Sequence, residues 1–302
     1  MGKLVLGVNN VWAMKRFVEP EVWVEIVATR FEVGVVQFSF DLLDPESDCV
    51  TLDESVAAIN DSCDRYGIKI QSCFTGVLAY ATNLMLHPYP SARQRALEWY
   101  RKATVLSRRL GVEVMGGHMG ALSRRDYNDP QRREALISEL VDSVVSISHS
   151  AKEANLQILL WEPMPVPREP PSTISEAKQL LDRANRNASI PVRLCIDVGH
   201  ECNPYSKDKL DKDPYAWLSE LGKDSPCVHL QQTDGFGDRH WPFTEAFNKA
   251  GIINGEEVIR ALDRSGAAET YLYLEVIPPF EQADEQVIED MKESVEYWKA
   301  YV

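Results

Sequence analysis

Leu-Cys-Ile-Asp-Val-Gly-His, at residues 194–200, is the stretch that decides the predicted fold. Its branched, apolar residues are typical of a strand that is buried on both faces, as in a parallel sheet. The run ends in a carboxylate, Asp197, and His200 follows three residues later, with Gly199 expected to let the chain turn between them. A buried strand that delivers polar groups at its C-terminal end indicates a barrel whose C-terminal face carries the chemistry.

Strand-like and helix-like segments alternate along the whole chain on both sides of this stretch. Short apolar runs predict eight strands, at residues 4–9, 33–40, 68–74, 113–117, 157–162, 193–197, 227–231 and 271–276. Longer amphipathic runs predict eight helices, at residues 20–30, 52–66, 91–110, 130–154, 172–187, 214–221, 255–264 and 284–301. This alternation predicts an α/β protein with one (β/α)8 TIM barrel as a single domain over residues 1–302.

A doubly wound open sheet is the alternative α/β fold. That fold usually carries a glycine-rich phosphate-binding turn after its first strand. Residues 9–13 instead read Asn-Asn-Val-Trp-Ala. The loops that follow strands are also longer than those that precede them, which favours a barrel with its site at the C-terminal face; the long ones are residues 75–90, 121–129, 163–171, 201–213 and 232–254.

The overall charge limits the classes of partner. The chain has 32 Lys and Arg against 46 Asp and Glu, a formal net charge of −14. Such a surface repels phosphate backbones and anionic lipids, and no run of basic residues offsets this repulsion. We therefore expect neither a nucleic acid nor a membrane as a partner, and no apolar run approaches the roughly 20 residues that a transmembrane helix requires.

The cysteines and the N-terminus bear on the cellular compartment. Six cysteines contain no Cys-x-x-Cys pair, and three of them lie in apolar, strand-like runs. Buried reduced thiols of this kind are typical of the cytoplasm, and residues 3–9 enter a strand without the pattern of a signal peptide. We expect a cytoplasmic protein.

Four predicted strands end in a side chain that can bind a metal ion. These are Glu162 on strand five, Asp197 on strand six, His229 on strand seven and Glu275 on strand eight. A single carboxylate at a strand end is more often a helix cap or an ion-pair partner, but four such residues in consecutive strands favour a metal site. The oxygen-rich set suits one octahedral divalent ion, Mn²⁺ first, with Mg²⁺, Co²⁺ or Zn²⁺ as alternatives.

The order of these residues resembles the pattern of the xylose isomerase-like TIM-barrel family. The family includes ketose 3-epimerases, hydroxypyruvate isomerases, inosose dehydratases and zinc endonucleases for abasic DNA. Its pattern of Glu, Asp-x-x-His, His and Glu after strands five to eight falls on Glu162, Asp197 with His200, His229 and Glu275. The resemblance implies the barrel, a divalent metal, a small sugar or sugar phosphate as substrate, and a homo-oligomer, since relatives commonly self-associate.

The resemblance also implies roles for these residues. Glu162 and Glu275 would remove and return a proton beside a carbonyl, through an enediolate whose oxygens the metal holds. Asp197 and His229 would be ligands only. His200 would bond a substrate oxygen, or alternatively a backbone carbonyl. Ketose 3-epimerisation is favoured, while aldose-ketose isomerisation and dehydration of a polyol use the same pair of bases and stay open.

Other polar residues near strand ends extend the predicted substrate site. Arg239 matches in placement the family's substrate-binding arginine, and His118 and His240 are expected to contact substrate. The Asp-Arg-His run at residues 238–240 also resembles the pair that brings a further zinc in the abasic-site endonucleases. Residues 72–76 lack the histidine that would complete such a cluster, and with a charge of −14 a zinc phosphodiesterase is disfavoured.

Aromatic and basic residues complete the sequence-based site. Trp12 and Trp161 fall near strand ends and are expected to form an apolar wall over a sugar, although ordinary packing at the top of a barrel is an equal alternative. Arg124 and Arg125 follow strand four. They could clamp a substrate phosphate, but an exposed pair of arginines is more often only solvated.

Overall fold

Eight parallel strands close a barrel in chain order in the computed structural model, which describes residues 2–200 and 206–302. The strands are β1 (Lys3–Asn9), β2 (Val35–Ser39), β3 (Lys69–Phe74), β4 (Val114–Gly117), β5 (Ile158–Trp161), β6 (Val192–Asp197), β7 (Cys227–Leu230) and β8 (Glu269–Leu274). Each strand pairs with the next, and β8 pairs with β1 over six residue positions. The predicted (β/α)8 fold is confirmed.

Helices surround the barrel. Those of the described ranges are α1 (Pro20–Ile26), α2 (Cys49–Tyr66), α3 (Val77–Tyr80), α4 (Pro90–Arg109), α5 (Arg124–Asn128), α6 (Pro130–Glu153), α7 (Ile174–Asn185), α8 (Pro214–Leu221), α9 (Glu245–Ala250), α10 (Gly255–Ser265) and α11 (Asp284–Lys299). All eight predicted helices are present. A π-helical turn, Val27–Phe31, continues α1, and α3, α5 and α9 are short helices that the hydrophobic pattern does not predict.

Local signals set several helix ends. Pro20 occupies the first turn of α1, where its missing N–H costs no hydrogen bond. Helix α2 ends at Gly67, whose φ of 67° is the left-handed conformation that glycine adopts most easily. At α7, the Thr173 hydroxyl accepts a bond from the Glu176 N–H, and the Glu176 carboxylate accepts one from the Ser172 N–H. These two bonds resemble a capping box, except that the carboxylate binds the N–H one residue before the N-cap residue Thr173.

The barrel interior is filled from several strands. Phe74, Val114, Leu160, Cys195, Cys227 and Tyr273 form one buried cluster there, and a larger core lies between the strands and the helices. Filling the interior fixes the strand ends in place.

Five cysteines of the described ranges are free thiols, while Cys202 and the first part of the predicted loop at residues 201–213 lie outside those ranges. None of the described helices combines the length and apolar character of a membrane span.

Candidate metal centre and substrate cavity

Four side chains that can bind a metal meet at the C-terminal face of the barrel. Glu162, Asp197, His229 and Glu275 each offer one ligand atom, and these atoms all lie within 4.8 Å of one another. Asp197 and His229 are fully buried, and Glu162 and Glu275 are 6% and 7% exposed. The four residues named from the strand ends are therefore close together.

The last hydrogen bonds of the sheet position these residues. The Glu162 N–H donates to the Gly117 carbonyl at 3.1 Å, and the Glu275 N–H donates to the Leu230 carbonyl at 3.0 Å. Asp197 and His229 are register partners on β6 and β7. Because the carboxyl ends of parallel strands meet at one edge, these bonds and this register together bring the four side chains to one place.

One ring nitrogen of His229 faces all three carboxylates. Its Nδ1 lies 2.9 Å from Glu275 Oε2, 3.3 Å from Glu162 Oε1 and 4.0 Å from Asp197 Oδ2. This nitrogen is buried and makes no hydrogen bond of acceptable geometry. A buried nitrogen and three carboxylates directed at one point are a donor set that fits a divalent cation.

The electrostatics of this group favour a positive charge at its centre. Burial raises the pKa of Glu162 and of Asp197 above their ordinary values. Burial opposes charge on His229 and Glu275 as well. The nearby Cys195, and then Glu275, nevertheless raise the pKa of His229 well above its usual range, and His229 lowers the pKa of Glu275 to about 2. Three buried carboxylates need a cation nearby, either protons or a metal ion.

A second polar group adjoins the first. It consists of Asp197, His200 and His240, whose ligand atoms also lie within 4.8 Å of one another. Asp238 stands between the two imidazoles, 3.3 Å from His200 Nε2 and 3.1 Å from His240 Nε2. The other nitrogen of His200 donates to the Pro163 carbonyl at 3.1 Å. His200 therefore makes the backbone bond given as its alternative role, and its ring still borders the cavity.

Asp238 and the two histidines form a charged triad. Burial opposes charge on all three. Asp238 nevertheless raises the pKa of His240 to about 10, and Asp197, followed by Asp238, raises the pKa of His200 well above its usual range. The same attraction holds the pKa of Asp238 well below its usual range. The nitrogens of both imidazoles already face Asp238 or a backbone carbonyl, so the triad presents positive charge, rather than free N–H groups, to a polar molecule beside the four-residue group.

A cavity opens between these two groups and the loops after the strands. It is lined by Val11, Thr75, Gly76, Val77, Tyr80, His118, Glu162, Met164, His200, Asp238, His240, Glu275 and Ile277. Both glutamates border it, as do the three predicted substrate-binding histidines. The lining alternates polar groups with apolar side chains, a composition typical of sites for small polar ligands.

His118 is the polar residue of this cavity with the fewest bonds. Neither ring nitrogen has a hydrogen-bond partner, although the side chain is buried. Burial, and then the nearby His200, lowers the pKa of His118 to about 3, so the ring is neutral at physiological pH. The Tyr80 ring meets it edge to face with centroids 5.4 Å apart. A neutral imidazole offers one donor and one acceptor to a bound molecule.

Three other predicted substrate-binding residues do not line this cavity. Trp12 packs against Phe31, with ring centroids 5.1 Å apart, and the Trp161 indole N–H donates to the Pro170 carbonyl. The Arg239 side chain is 41% exposed and forms an ion pair with Asp234 at 3.0 Å. Their substrate contacts remain predictions. Arg125 of the proposed phosphate clamp is paired with Asp126 at 3.0 Å.

Several residues at the site have no signal in the sequence that identifies them. Glu169, in the proline-rich loop after β5, is buried with an unbonded Oε2, and burial raises its pKa. Gln37 on β2 contacts His229, and Asn9 at the end of β1 contacts Glu275. Amides and loop carboxylates are common on any strand or loop, so only the folded chain identifies these three as neighbours of the site.

Comparison with known proteins agrees with this architecture. Residues 31–301 match the family model described as xylose isomerase-like TIM barrel. The chain is 30% identical over 301 residues to a Brucella abortus protein named D-erythrulose 1-phosphate 3-epimerase, covering 99% of the chain and 96% of the relative. A crystal structure from Rhodospirillum rubrum, provisionally described as a xylose isomerase, is similar with a TM-score of 0.92 and 29% identity over 99% of both chains.

The fold extends to more distant proteins. D-psicose 3-epimerase from Clostridium cellulolyticum, solved with D-tagatose, is similar with a TM-score of 0.69 over 100% of this chain and 99% of its own. Its sequence identity is 14%, so this likeness concerns the fold alone.

Proposed function

The chain belongs to the xylose isomerase-like TIM-barrel family, and from that premise we propose that it is a divalent-metal-dependent 3-epimerase of a short ketose or ketose phosphate. It is an enzyme of the isomerase and epimerase class. One observation carries the finer proposal: Glu162 and Glu275 border the same cavity and face the same nitrogen of His229. The name of the Brucella abortus relative supports the choice of a ketose phosphate.

The four-residue group is the proposed metal centre. Glu162, Asp197, His229 and Glu275 would hold one divalent ion, with Mn²⁺ first and Mg²⁺, Co²⁺ or Zn²⁺ as alternatives. The unbonded Nδ1 of His229 is the feature that such an ion would satisfy. When bound, the ion would supply positive charge that offsets the negative charge developing on substrate oxygens.

The proton transfers are assigned to the two glutamates. One carboxylate takes the proton from the third carbon, beside the ketone, and the bonding electrons pass into the carbonyl to give an enediolate. The other glutamate, as its acid, returns a proton to the opposite face. Their strands β5 and β8 lie three positions apart in a ring of eight, so the groups approach a substrate from different sides. His118, whose ring nitrogens have no hydrogen-bond partner, would bond its hydroxyls, and His200 and His240 would contact it with their positive charge.

A solvent-exchange screen tests this reaction. Tetruloses, pentuloses, hexuloses and their 1-phosphates are incubated with enzyme and Mn²⁺ in deuterium oxide, and each product is examined by NMR. We expect deuterium at the third carbon of one short ketose or its phosphate, together with the epimer. Absence of label from the whole panel would refute the epimerase and favour a barrel that binds sugar without turnover.

The same screen separates the related reactions. An aldose-ketose isomerase would place deuterium on the first or second carbon and yield an aldose. A dehydratase would release a deoxy product. Both use the same pair of bases, so the position of the label, rather than loss of activity in a variant, decides between them.

A zinc phosphodiesterase is the second candidate function. The triad of His200, Asp238 and His240 favours this function, because the triad offers further metal ligands beside the proposed metal centre. Against it stand the net charge of −14 and Thr75 at the end of β3, where no histidine completes a larger cluster. Metal analysis of purified protein tests it. Three tightly bound zinc ions with cleavage of abasic DNA would replace the epimerase proposal.

We also propose a cytoplasmic homo-oligomer. The buried free thiols Cys63, Cys73, Cys195 and Cys227 support a reducing compartment. Light scattering after gel filtration measures the oligomeric state, and a mass of one chain, 34.2 kDa, would contradict the oligomer.

A further inference from the structure

The second ring nitrogen of His229 is held by a chain of buried amides. His229 Nε2 lies 2.6 Å from Gln37 Oε1, and both side chains are fully buried. Gln37 is on β2, on the far side of β1 and β8 from β7. The contact therefore crosses the barrel interior beneath the proposed metal centre.

The orientation of these amides follows from the Val11 N–H, a backbone group that can donate a hydrogen bond but cannot accept one. The Val11 N–H donates to Asn9 Oδ1 at 2.9 Å, which leaves the Asn9 NH₂ directed at Gln37 Oε1 (2.9 Å) and Glu275 Oε1 (3.0 Å). The carboxylate of Glu275 can only accept when ionised, so it requires the same orientation of Asn9. Gln37 must then present its oxygen, rather than its nitrogen, to Asn9 and His229.

Ser72 fixes the other end of the Gln37 amide. The Gln37 NH₂ donates to Ser72 Oγ at 3.1 Å, and Ser72 is fully buried. An amide with its nitrogen bonded to a hydroxyl and its oxygen shared between two donors has no second orientation of equal energy.

A β-bulge in β3 places Ser72 beneath Gln37. Val36 pairs with Ile70 and Gln37 with Ser72, so Gln71 has no partner on β2. Gln71 accepts a bond from the Tyr273 hydroxyl at 2.7 Å in the barrel interior, and Ser72 also points inward to Gln37. Consecutive residues of a regular strand point to opposite faces, so two inward side chains in a row require the bulge.

We propose that Gln37, held by Asn9 and Ser72, is a positioning residue that keeps the proton of His229 on Nε2 and directs the Nδ1 lone pair at the divalent ion. This inference rests on the metal centre of the proposed function. A ligating histidine commonly donates its second N–H to an acceptor that fixes its tautomer and ring orientation. Here a neutral amide fills that role, and the same network orients Glu275 through Asn9.

Binding of Mn²⁺ to the chelator-treated full chain tests this role, with free Mn²⁺ measured by EPR. Gln37→Leu removes the acceptor, and we expect the Kd for Mn²⁺ to rise about 10- to 100-fold. Gln37→Glu keeps an acceptor oxygen and is expected to restore binding to within about fivefold of wild type. Gln71→Leu is the control, because it removes a half-buried amide of the same bulge that does not contact the metal centre; its Kd should stay within about twofold.

Wild-type affinity in Gln37→Leu, or an equal loss in Gln71→Leu, would overturn the inference. If Gln37→Leu fails to fold by circular dichroism, Ser72→Ala decides: it frees the amide to rotate, and we expect about a threefold rise in Kd. An unchanged Kd in Ser72→Ala would then overturn the inference.

Failure of the proposed function gives a different pattern. If wild-type protein labels no sugar while Gln37→Leu still loses Mn²⁺ affinity, only the epimerase fails. If wild-type protein labels its ketose and Gln37→Leu binds Mn²⁺ normally, only the positioning role fails. A wild-type chain that binds none of Mn²⁺, Mg²⁺, Co²⁺ or Zn²⁺ overturns both.

Discussion

The side chains of the proposed metal centre are restrained by specific partners at the scale of single residues. Asp197 accepts the Gly199 N–H through one oxygen at 2.6 Å and the Gln231 amide through the other at 3.1 Å. The Phe74 ring meets the His229 ring edge to face, with centroids 4.6 Å apart. Groups held in this way need little rearrangement to bind an ion or a substrate.

Glu275→Gln tests the assignment of the proton transfers. The amide keeps the size of the side chain but cannot take up a proton, so we expect deuterium exchange to fall by at least about 100-fold. Glu176→Gln is the control, since Glu176 is a half-buried carboxylate that caps α7 away from the cavity. Exchange measured by NMR should be unaffected in the control, and activity retained in Glu275→Gln would remove Glu275 from the catalytic role.

Gly199→Ala tests the stretch at residues 194–200. Gly199 was expected to permit a turn, and the structure adds a steric reason, since a Cβ there would overlap the side chain of Gln231. Gln231 bonds both Asp197 and Asp238, so we expect its displacement to lower activity about tenfold or more. Gly34→Ala is the control because its Cβ would meet nothing within 4 Å, and steady-state kinetics compare the two. Equal activities would show that Gln231 does not position the site.

The elements differ in how far local sequence determines them. The long helices show an apolar face and capping residues, so the pattern predicts them. Helix α3 has four residues, and its first N–H groups, of Val77 and Leu78, are bound by the Asp41 carboxylate at 2.8 and 2.9 Å. Asp41 lies in the loop after another strand, β2. A helix that short forms only where such a partner is supplied, and no local pattern reveals it.

The junction between α5 and α6 gives a pH-dependent prediction. Arg132, and then Arg125, hold the pKa of Asp126 well below its usual range. A carboxyl group with a depressed folded-state pKa stabilises the fold above its unfolded pKa of about 4, and this stabilisation is lost as the pH falls through the folded value. Asp126→Asn should therefore lower the urea midpoint at pH 7, and the difference should shrink below about pH 4. A difference independent of pH would contradict the ion-pair account.

Metal binding is predicted to stabilise the whole molecule. The ion would bind the folded chain only, because its four ligands come from β5 to β8 and are far apart in the unfolded chain. At 100 times its Kd, Mn²⁺ should add about 2.7 kcal/mol, which raises the Tm by roughly 4 °C. Calorimetry after chelation, with and without added ion, measures this. A Tm that no divalent ion changes would argue against the site.

At the scale of the whole molecule, the order of strands and helices could be predicted from the sequence. That residues 1–302 form a single domain is still a prediction. Eight repeated units and a net charge of −14 are properties of the sequence as written, and both bear on fold and partners. The positions of Trp12 and Arg239 illustrate the limit of such reasoning. Trp12 follows β1 closely and Arg239 lies in the loop after β7, but no local pattern reveals that Trp12 packs against Phe31 or that Arg239 pairs with Asp234.

The sequence by itself determined the barrel and the residues at its strand ends. Hydrophobic periodicity is local, and parallel strands in chain order must bring Glu162, Asp197, His229 and Glu275 to one face. Only the tertiary structure decided how these residues are oriented. Ser72 reaches the Gln37 amide, and so orients it toward His229, because the register of β2 and β3 shifts by one residue; the pairing of strands that sets such a shift is not encoded in any local pattern.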